Sequence, residues 1–167
     1  MIRTRRDRRL WNFAGVAIAA LLMGYALFAQ HVQGYEPCPL CIYQRMVMIA
    51  TGAVLLLAAL HAPAGLGARA YAALGGLTAL VGAGVSGWHV RLQNLPEDQV
   101  PECGPGLDYI REVFPLMEEL KMVFTGSGEC AEIDWSFLGL SMPAWVMIWF
   151  VALAALAVAA NWRPVAR

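Results

Sequence analysis

Four stretches of this chain stay apolar long enough to cross a hydrocarbon layer: roughly Leu10 to Ala29, Ile42 to Leu60, Ala70 to Trp88, and Pro143 to Asn161. A bilayer core about 30 Å thick takes about 20 residues at the rise of an α-helix, which each stretch supplies. Helix is the default in that medium, because lipid offers no partner to an unpaired backbone group and these Ala/Leu/Gly-rich runs lack the alternation of a membrane strand. The pattern predicts an all-α membrane protein, a four-helix transmembrane bundle forming one domain over residues 1–167. Its two outer loops run at about 30–41 and 89–142.

Two details refine the elements. In the third span Gly75, Gly76, Ala79, Ala83, Gly84 and Gly87 recur, and small residues of this kind let helix backbones approach closely. In the long loop, Ile110, Val113, Phe114, Met117, Leu120 and Phe124 fall at helical spacing with Asp108, Arg111, Glu112, Glu118 and Glu119 opposite. That predicts a short surface-lying helix within Leu107 to Phe124, broken or kinked at Pro115.

Composition points to the same solvent. Hydrophobic residues make up 59%, charged residues 14%, and mean hydropathy is +0.56. Soluble domains are about 45–50% apolar and about 25% charged. The formal net charge is zero, yet the charges are segregated. Arg3, Arg5, Arg6, Arg8 and Arg9 precede the first span, Arg69 lies in the short connection after the second, and Arg163 and Arg167 follow the last. The positive-inside rule puts these places, and so both termini, in the cytoplasm. The long loop on the other side is acidic, with Glu97, Asp98, Glu102, Glu129, Glu132 and Asp134 among its residues and only Arg91, Arg111 and Lys121 as basic ones. The first apolar run is longer than that of a cleavable leader and has no clean small-residue site after it, so it reads as a retained anchor. No basic stripe with interleaved aromatics is present, which argues against nucleic acid as a partner.

The candidate chemistry is sulfur. All four cysteines, Cys38, Cys41, Cys103 and Cys130, fall in the two outer segments, although free cysteine is ordinarily a core residue. Beyond an inner membrane disulfides persist, and the simplest of three pairings joins Cys38 to Cys41 and Cys103 to Cys130. Cys38-Pro39-Leu40-Cys41 has the spacing of dithiol oxidoreductases, and Pro39 suits the first position of a helix running into the second span. Cys41 then sits in the first turn, where the helix dipole favours a thiolate. Arg45, the one charge inside any span, follows on the same face at i+4 and can reach both the sulfur and anything bound beside it. Glycines and prolines around Cys103 and Cys130 suit an exposed loop open to thiol–disulfide exchange. Competing readings are two structural staples, a non-catalytic assembly protein with stapled loops, zinc on the four cysteines, or haem between His31 and His89.

The run Cys38-Pro39-Leu40-Cys41-Ile42-Tyr43-Gln44-Arg45, preceded by Gln30-His31-Val32, resembles the DsbB family of bacterial disulfide-bond formation proteins. So do the two further loop cysteines and the stretch from Gly128-Glu129-Cys130-Ala131-Glu132 through Trp135-Ser136-Phe137-Leu138-Gly139-Leu140-Ser141-Met142-Pro143. Pro39 and Gln44 are substitutions within the motif that keep its spacing. The resemblance implies a bacterial inner-membrane bundle in which Cys41 contacts a membrane quinone, ubiquinone or menaquinone, with Arg45 beside the quinone oxygen and His89 at the same site. It also implies that Cys103 forms a mixed disulfide with a thioredoxin-like periplasmic oxidase of the DsbA type, and that no metal takes part. The electrons would pass from the reduced partner by way of Cys103 and Cys130 to Cys38 and Cys41 and on to quinone. A vitamin K epoxide reductase-like enzyme is the runner-up, but its resemblance would put the CxxC near the last span, where this chain has none.

Overall fold

A computed structural model of the chain describes residues 4–100, 115, 117, 118, 123, 125 and 128–162. Four long helices dominate it: α1 (Arg5–His31), α2 (Pro39–His61), α3 (Leu66–Gln93) and, after the short helix α4 (Gly128–Ala131), α5 (Met142–Asn161). All four long helices have the length and apolar character to cross a membrane. They overrun the spans predicted from hydropathy by up to five residues at an end, because capping and polar groups carry the helical backbone past the apolar run. At the start of α1, for instance, Thr4 accepts from the Asp7 amide at 3.1 Å while its own amide donates to the Asp7 carboxylate at 3.0 Å. That reciprocal box satisfies two donors that a helix start would leave bare.

The bundle core gathers Ala19, Met48, Leu55, Ala79, Phe150, Leu153, Ala154 and Ala157 from all four helices. Small residues on α3 set the closest approach. The α-carbon hydrogens of Gly75 face Ala157 and those of Gly82 face the ring of Phe150, where an added Cβ would lie 2.3 Å from the ring carbons. Gly84 meets nothing within 4 Å, so of the small residues singled out in the sequence this one is not part of the seam.

Most polar side chains buried in the bundle are paired within it, Trp88 Nε1 and Gln93 Oε1 on α3 being the exceptions among the described residues. At the end where α1 begins and α5 closes, Asn12 and Asn161, both fully buried, exchange amide hydrogen bonds of 3.1 and 2.9 Å. Beside them the buried Arg8 donates to the Ala160 carbonyl at 3.2 Å and to the Pro63 carbonyl. One arginine thus closes the C-terminal carbonyls of α5 and the turn after α2 against α1, groups that have no partner inside their own helices. Arg8, read from the sequence as a topology signal, is in addition a strut of the bundle.

The opposite end holds Cys38, Cys41 and Cys130. A two-stranded antiparallel hairpin, β1 (Ser136–Phe137) and β2 (Leu140–Ser141), lies just before α5 and pairs Ser136 with Ser141 and Phe137 with Leu140. Its turn residues, Leu138 at φ 52° and Gly139 at φ 78°, have the twist that two-residue hairpins need. Trp145 donates to the Phe137 carbonyl at 3.0 Å and fastens the hairpin to α5. No strand was expected here; the Leu-Gly pair was the available signal. The surface helix expected within Leu107 to Phe124 falls largely outside the described residues, as does Cys103.

Replacing Asn12 by leucine strands the Asn161 amide in apolar surroundings and should cost about 1–2 kcal/mol in detergent-micelle unfolding equilibria. The Asn12→Leu/Asn161→Leu double variant should recover part of that loss, since neither amide is then left unpaired; a double variant weaker than Asn12→Leu alone would contradict the account.

Candidate active site

Local chemistry at the start of α2 builds the site. Cys38 is the N-cap, in extended conformation, and Pro39 occupies the first turn. The Cys41 amide, three residues on, points at Cys38 Sγ over 3.4 Å. The helix start therefore presents its free N–H to the sulfur of residue 38, and it draws the two sulfurs to 3.1 Å. Cys38 is buried and Cys41 half-buried.

Further elements close in on this pair. From α3, His89 is 2% exposed and places Nε2 3.7 Å from Cys38 Sγ. Its other nitrogen, Nδ1, receives the Gln44 side-chain amide at 3.0 Å. From α4, Cys130, 1% exposed, joins the same cluster with Leu40, Val85, Leu92 and Val123. Its thiol hydrogen-bonds Cys38 and its main chain hydrogen-bonds His89. Three of the four cysteines picked out in the sequence are thus in one place. Donor atoms of Cys38, Cys41 and His89 lie within 4.8 Å of one another.

Arg45 is one turn beyond Cys41, as the spacing predicts, with its guanidinium held by α1: it donates to the Ala26 carbonyl at 3.2 Å and to the Gln30 side chain. Those bonds fix the charge in the wall of a cavity of about 360 Å³ that Cys41 and His89 also line. The floor is apolar, formed by Leu22, Met23, Met48 and Val146, and the rim carries Glu36, Glu129, Glu132 and Asp134. Volume and character suit a small cyclic ligand, since such pockets run from about 300 to 1,000 Å³ and join apolar walls to a few polar groups. His31, the other histidine considered, is exposed at the end of α1.

Sequence reasoning missed the glutamines. Gln30 orients Arg45, Gln44 orients His89, and Gln93 donates from its side-chain amide to the Glu132 carbonyl at 3.2 Å. All three are uncharged polar residues at helix ends nearest the cysteines, a weak signal that charge counting passes over.

Bundle and site together define a membrane-spanning helical protein with a clustered-thiol centre at one end. The profile of the family described as disulfide bond formation protein DsbB matches residues 8–160. Relatives named disulfide bond formation protein B are 53% identical over 149 residues in Methylococcus capsulatus, covering 89% of this chain and 91% of that one. In Saccharophagus degradans the figure is 53% over 153 residues, covering 92% and 90%. A third, from Nitrosococcus oceani, is 51% identical over 141 residues, covering 84% and 83%. The chain belongs to the DsbB family, whose work is disulfide bond formation in association with a membrane.

The electrostatics of Cys38 can be tested directly. The hydrogen bond from Cys130 pulls its thiol down, but its own bond to Cys41 and its burial act the other way and together prevail, pushing it up to about 12. Because only the thiolate reacts, Cys38 of the reduced protein should alkylate at pH 8 at least about tenfold more slowly than Cys41, and lose that protection as pH rises toward 12. Peptide mapping after timed iodoacetamide treatment measures both rates, and equal rates at pH 8 would contradict the assignment.

Proposed function

We propose that the protein is a quinone-dependent, disulfide-forming oxidoreductase of the bacterial inner membrane that reoxidises a periplasmic thioredoxin-fold dithiol oxidase of the DsbA type. The observation that carries this reading is the position of Cys41: one side meets a second sulfur system through Cys38 and Cys130, the other opens on an apolar cavity walled by Arg45.

Exchange begins when a thiolate of the reduced partner attacks Cys103 of a Cys103–Cys130 disulfide, forming a mixed disulfide and releasing Cys130 as a thiolate. Cys130 attacks Cys38 of the Cys38–Cys41 disulfide, joins it, and expels Cys41 as a thiolate. The partner's second thiol then cleaves the mixed disulfide, leaving with its own disulfide formed, and frees Cys103. Attack by Cys103 on Cys130 restores the outer disulfide and releases Cys38, so two electrons now reside on Cys38 and Cys41. Sulfur-to-sulfur steps of this kind need an accessible disulfide and a thiolate in line.

The residues around the cavity fit a quinone. One bound there would accept the two electrons and two protons released as Cys38 and Cys41 close their disulfide. Arg45, held by Gln30 and Ala26, offers a fixed guanidinium to an electron-rich oxygen and an opposite charge to the Cys41 sulfur. Leu22, Met23, Met48 and Val146 give the cavity an apolar wall against which an apolar ring could lie. Ubiquinone and menaquinone both meet this description. Segregated arginines support cytoplasmic termini and periplasmic cysteines.

Mixing the purified protein with a reduced DsbA-type oxidase and short-chain ubiquinone or menadione, and following quinone absorbance, tests the proposal. Wild type should turn over and Cys41→Ser should not. Arg45→Met removes a charge-assisted hydrogen bond, worth roughly 1.5–3 kcal/mol, and should raise the KM for quinone about tenfold or more. Full turnover by Cys41→Ser, or labelling of Cys41 by an impermeant maleimide only from the cytoplasmic face, would refute it.

A further inference from the structure

The outer cysteine pair must deliver Cys130 to Cys38, and a single helical turn such as α4 would by itself hold that sulfur only loosely. Two side chains on one face of α3, four residues apart, reach the Cys130 segment. His89 is hydrogen-bonded by the main chain of Cys130 itself. Gln93 donates from Nε2 to the carbonyl of Glu132 at 3.2 Å. The i, i+4 spacing on the helix thus meets main-chain groups two residues apart on the segment, and two such points fix both position and direction.

Gln44 completes the arrangement from α2. Its amide nitrogen can only donate, so at 3.0 Å it makes His89 Nδ1 the acceptor and leaves the proton of the neutral ring on Nε2. That nitrogen is the one 3.7 Å from Cys38 Sγ, and Gln44 on Nδ1 leaves it free to face the Cys130 main chain, which hydrogen-bonds the ring. A main-chain carbonyl needs such a donor, and a ring protonated on Nδ1 alone would turn a lone pair toward it instead. Gln44 and His89 are 5% and 2% exposed, so the bond between them has little competition from bulk water.

We propose that His89 and Gln93 form a two-point dock for the Cys130 segment and that Gln44 is a positioning residue, fixing the His89 tautomer so that Cys130 Sγ is held against Cys38. The dock rests on the exchange chemistry proposed above and adds to it a role for His89 separate from the cavity. Its effect falls on one step, the attack of the Cys130 thiolate on Cys38 with loss of Cys41, in which one disulfide is exchanged for another and no electron leaves the protein.

The full-length protein in nanodiscs, carrying Cys41→Ser and Cys103→Ser, isolates this contact because only Cys38 and Cys130 remain to pair. Equilibration with a graded ratio of oxidised to reduced glutathione gives the effective concentration of one thiol at the other, with glutathione disulfide as the oxidant and two glutathione thiols as its product. Gln44→Leu should lower that value by about fivefold or more, the loss of one buried hydrogen bond, and Gln93→Leu, which removes a solvent-exposed one, by about two- to threefold. Gln44→Glu should stay within about twofold of the parent, because a carboxylate paired with the imidazolium still leaves a donor on Nε2. In a His89→Ala background Gln44→Leu should add nothing further, as required of a residue that acts through the ring. Nitrogen NMR of the histidines should show His89 protonated on Nε2 in the parent and a mixed tautomer in Gln44→Leu.

A separate Cys103→Ser/Cys130→Ser protein reports the Cys38–Cys41 pair, and Gln93→Leu should leave that pair unchanged. Unaltered Cys38–Cys130 values in both leucine variants would overturn the dock, as would an equal fall for both pairs in Gln93→Leu. Neither quinone nor partner enters this measurement, so failure of turnover in the quinone assay and failure of the dock are separate results.

Discussion

Hydrocarbon gives a polar group nothing to bond, and most of what is particular in this fold follows from that constraint. Backbone groups are satisfied by making the spans helical, while the polar side chains that remain inside must find one another. At one end they do so as Arg8, Asn12 and Asn161, which join α1 to the close of α5 and to the turn after α2. At the other they do so as Arg45 with Gln30 and Ala26, and as Gln44 with His89. The apolar middle, where Phe150 lies over Gly82, holds the helices close enough for these pairs to form.

The same constraint makes the sulfur centre chemically directional. Cys38 sits outside the helix as its cap, receives the free amide of Cys41, and is walled in by Leu40, Val85 and Leu92. Its thiol is held protonated, and it is adjacent to both other described sulfurs. Cys41 is half-buried and faces the cavity. Two cysteines in one turn of chain therefore differ in charge preference and access, a difference that a CxxC spacing alone does not reveal.

Hydropathy and the cysteine pattern made much of this legible. Four apolar runs of membrane length gave the four helices, because in lipid length and composition nearly determine the element. The i+4 step from Cys41 to Arg45 gave their common face. Less was visible where meaning depends on distant pairing. Nothing local to Arg8 distinguishes it from Arg5 or Arg9, yet it alone of the five N-terminal arginines is buried among the described residues. Gln44 looks like an ordinary polar neighbour until α3 brings His89 against it. The hairpin at 136–141 was missed because two residues per strand carry no period to read. The turn after α2 likewise gave no warning that Ala62 adopts φ 40°.

Arg8 also bears on how the chain is assembled. The carbonyls it captures belong to Pro63 and to Ala160, the latter 152 residues further along, so the full set of contacts cannot form until the last of the four long helices has been made. Until then α1 lacks one of the contacts that hold it against the rest of the bundle. Closing the bundle at this end is thereby tied to the arrival of α5, the helix that carries Ala160.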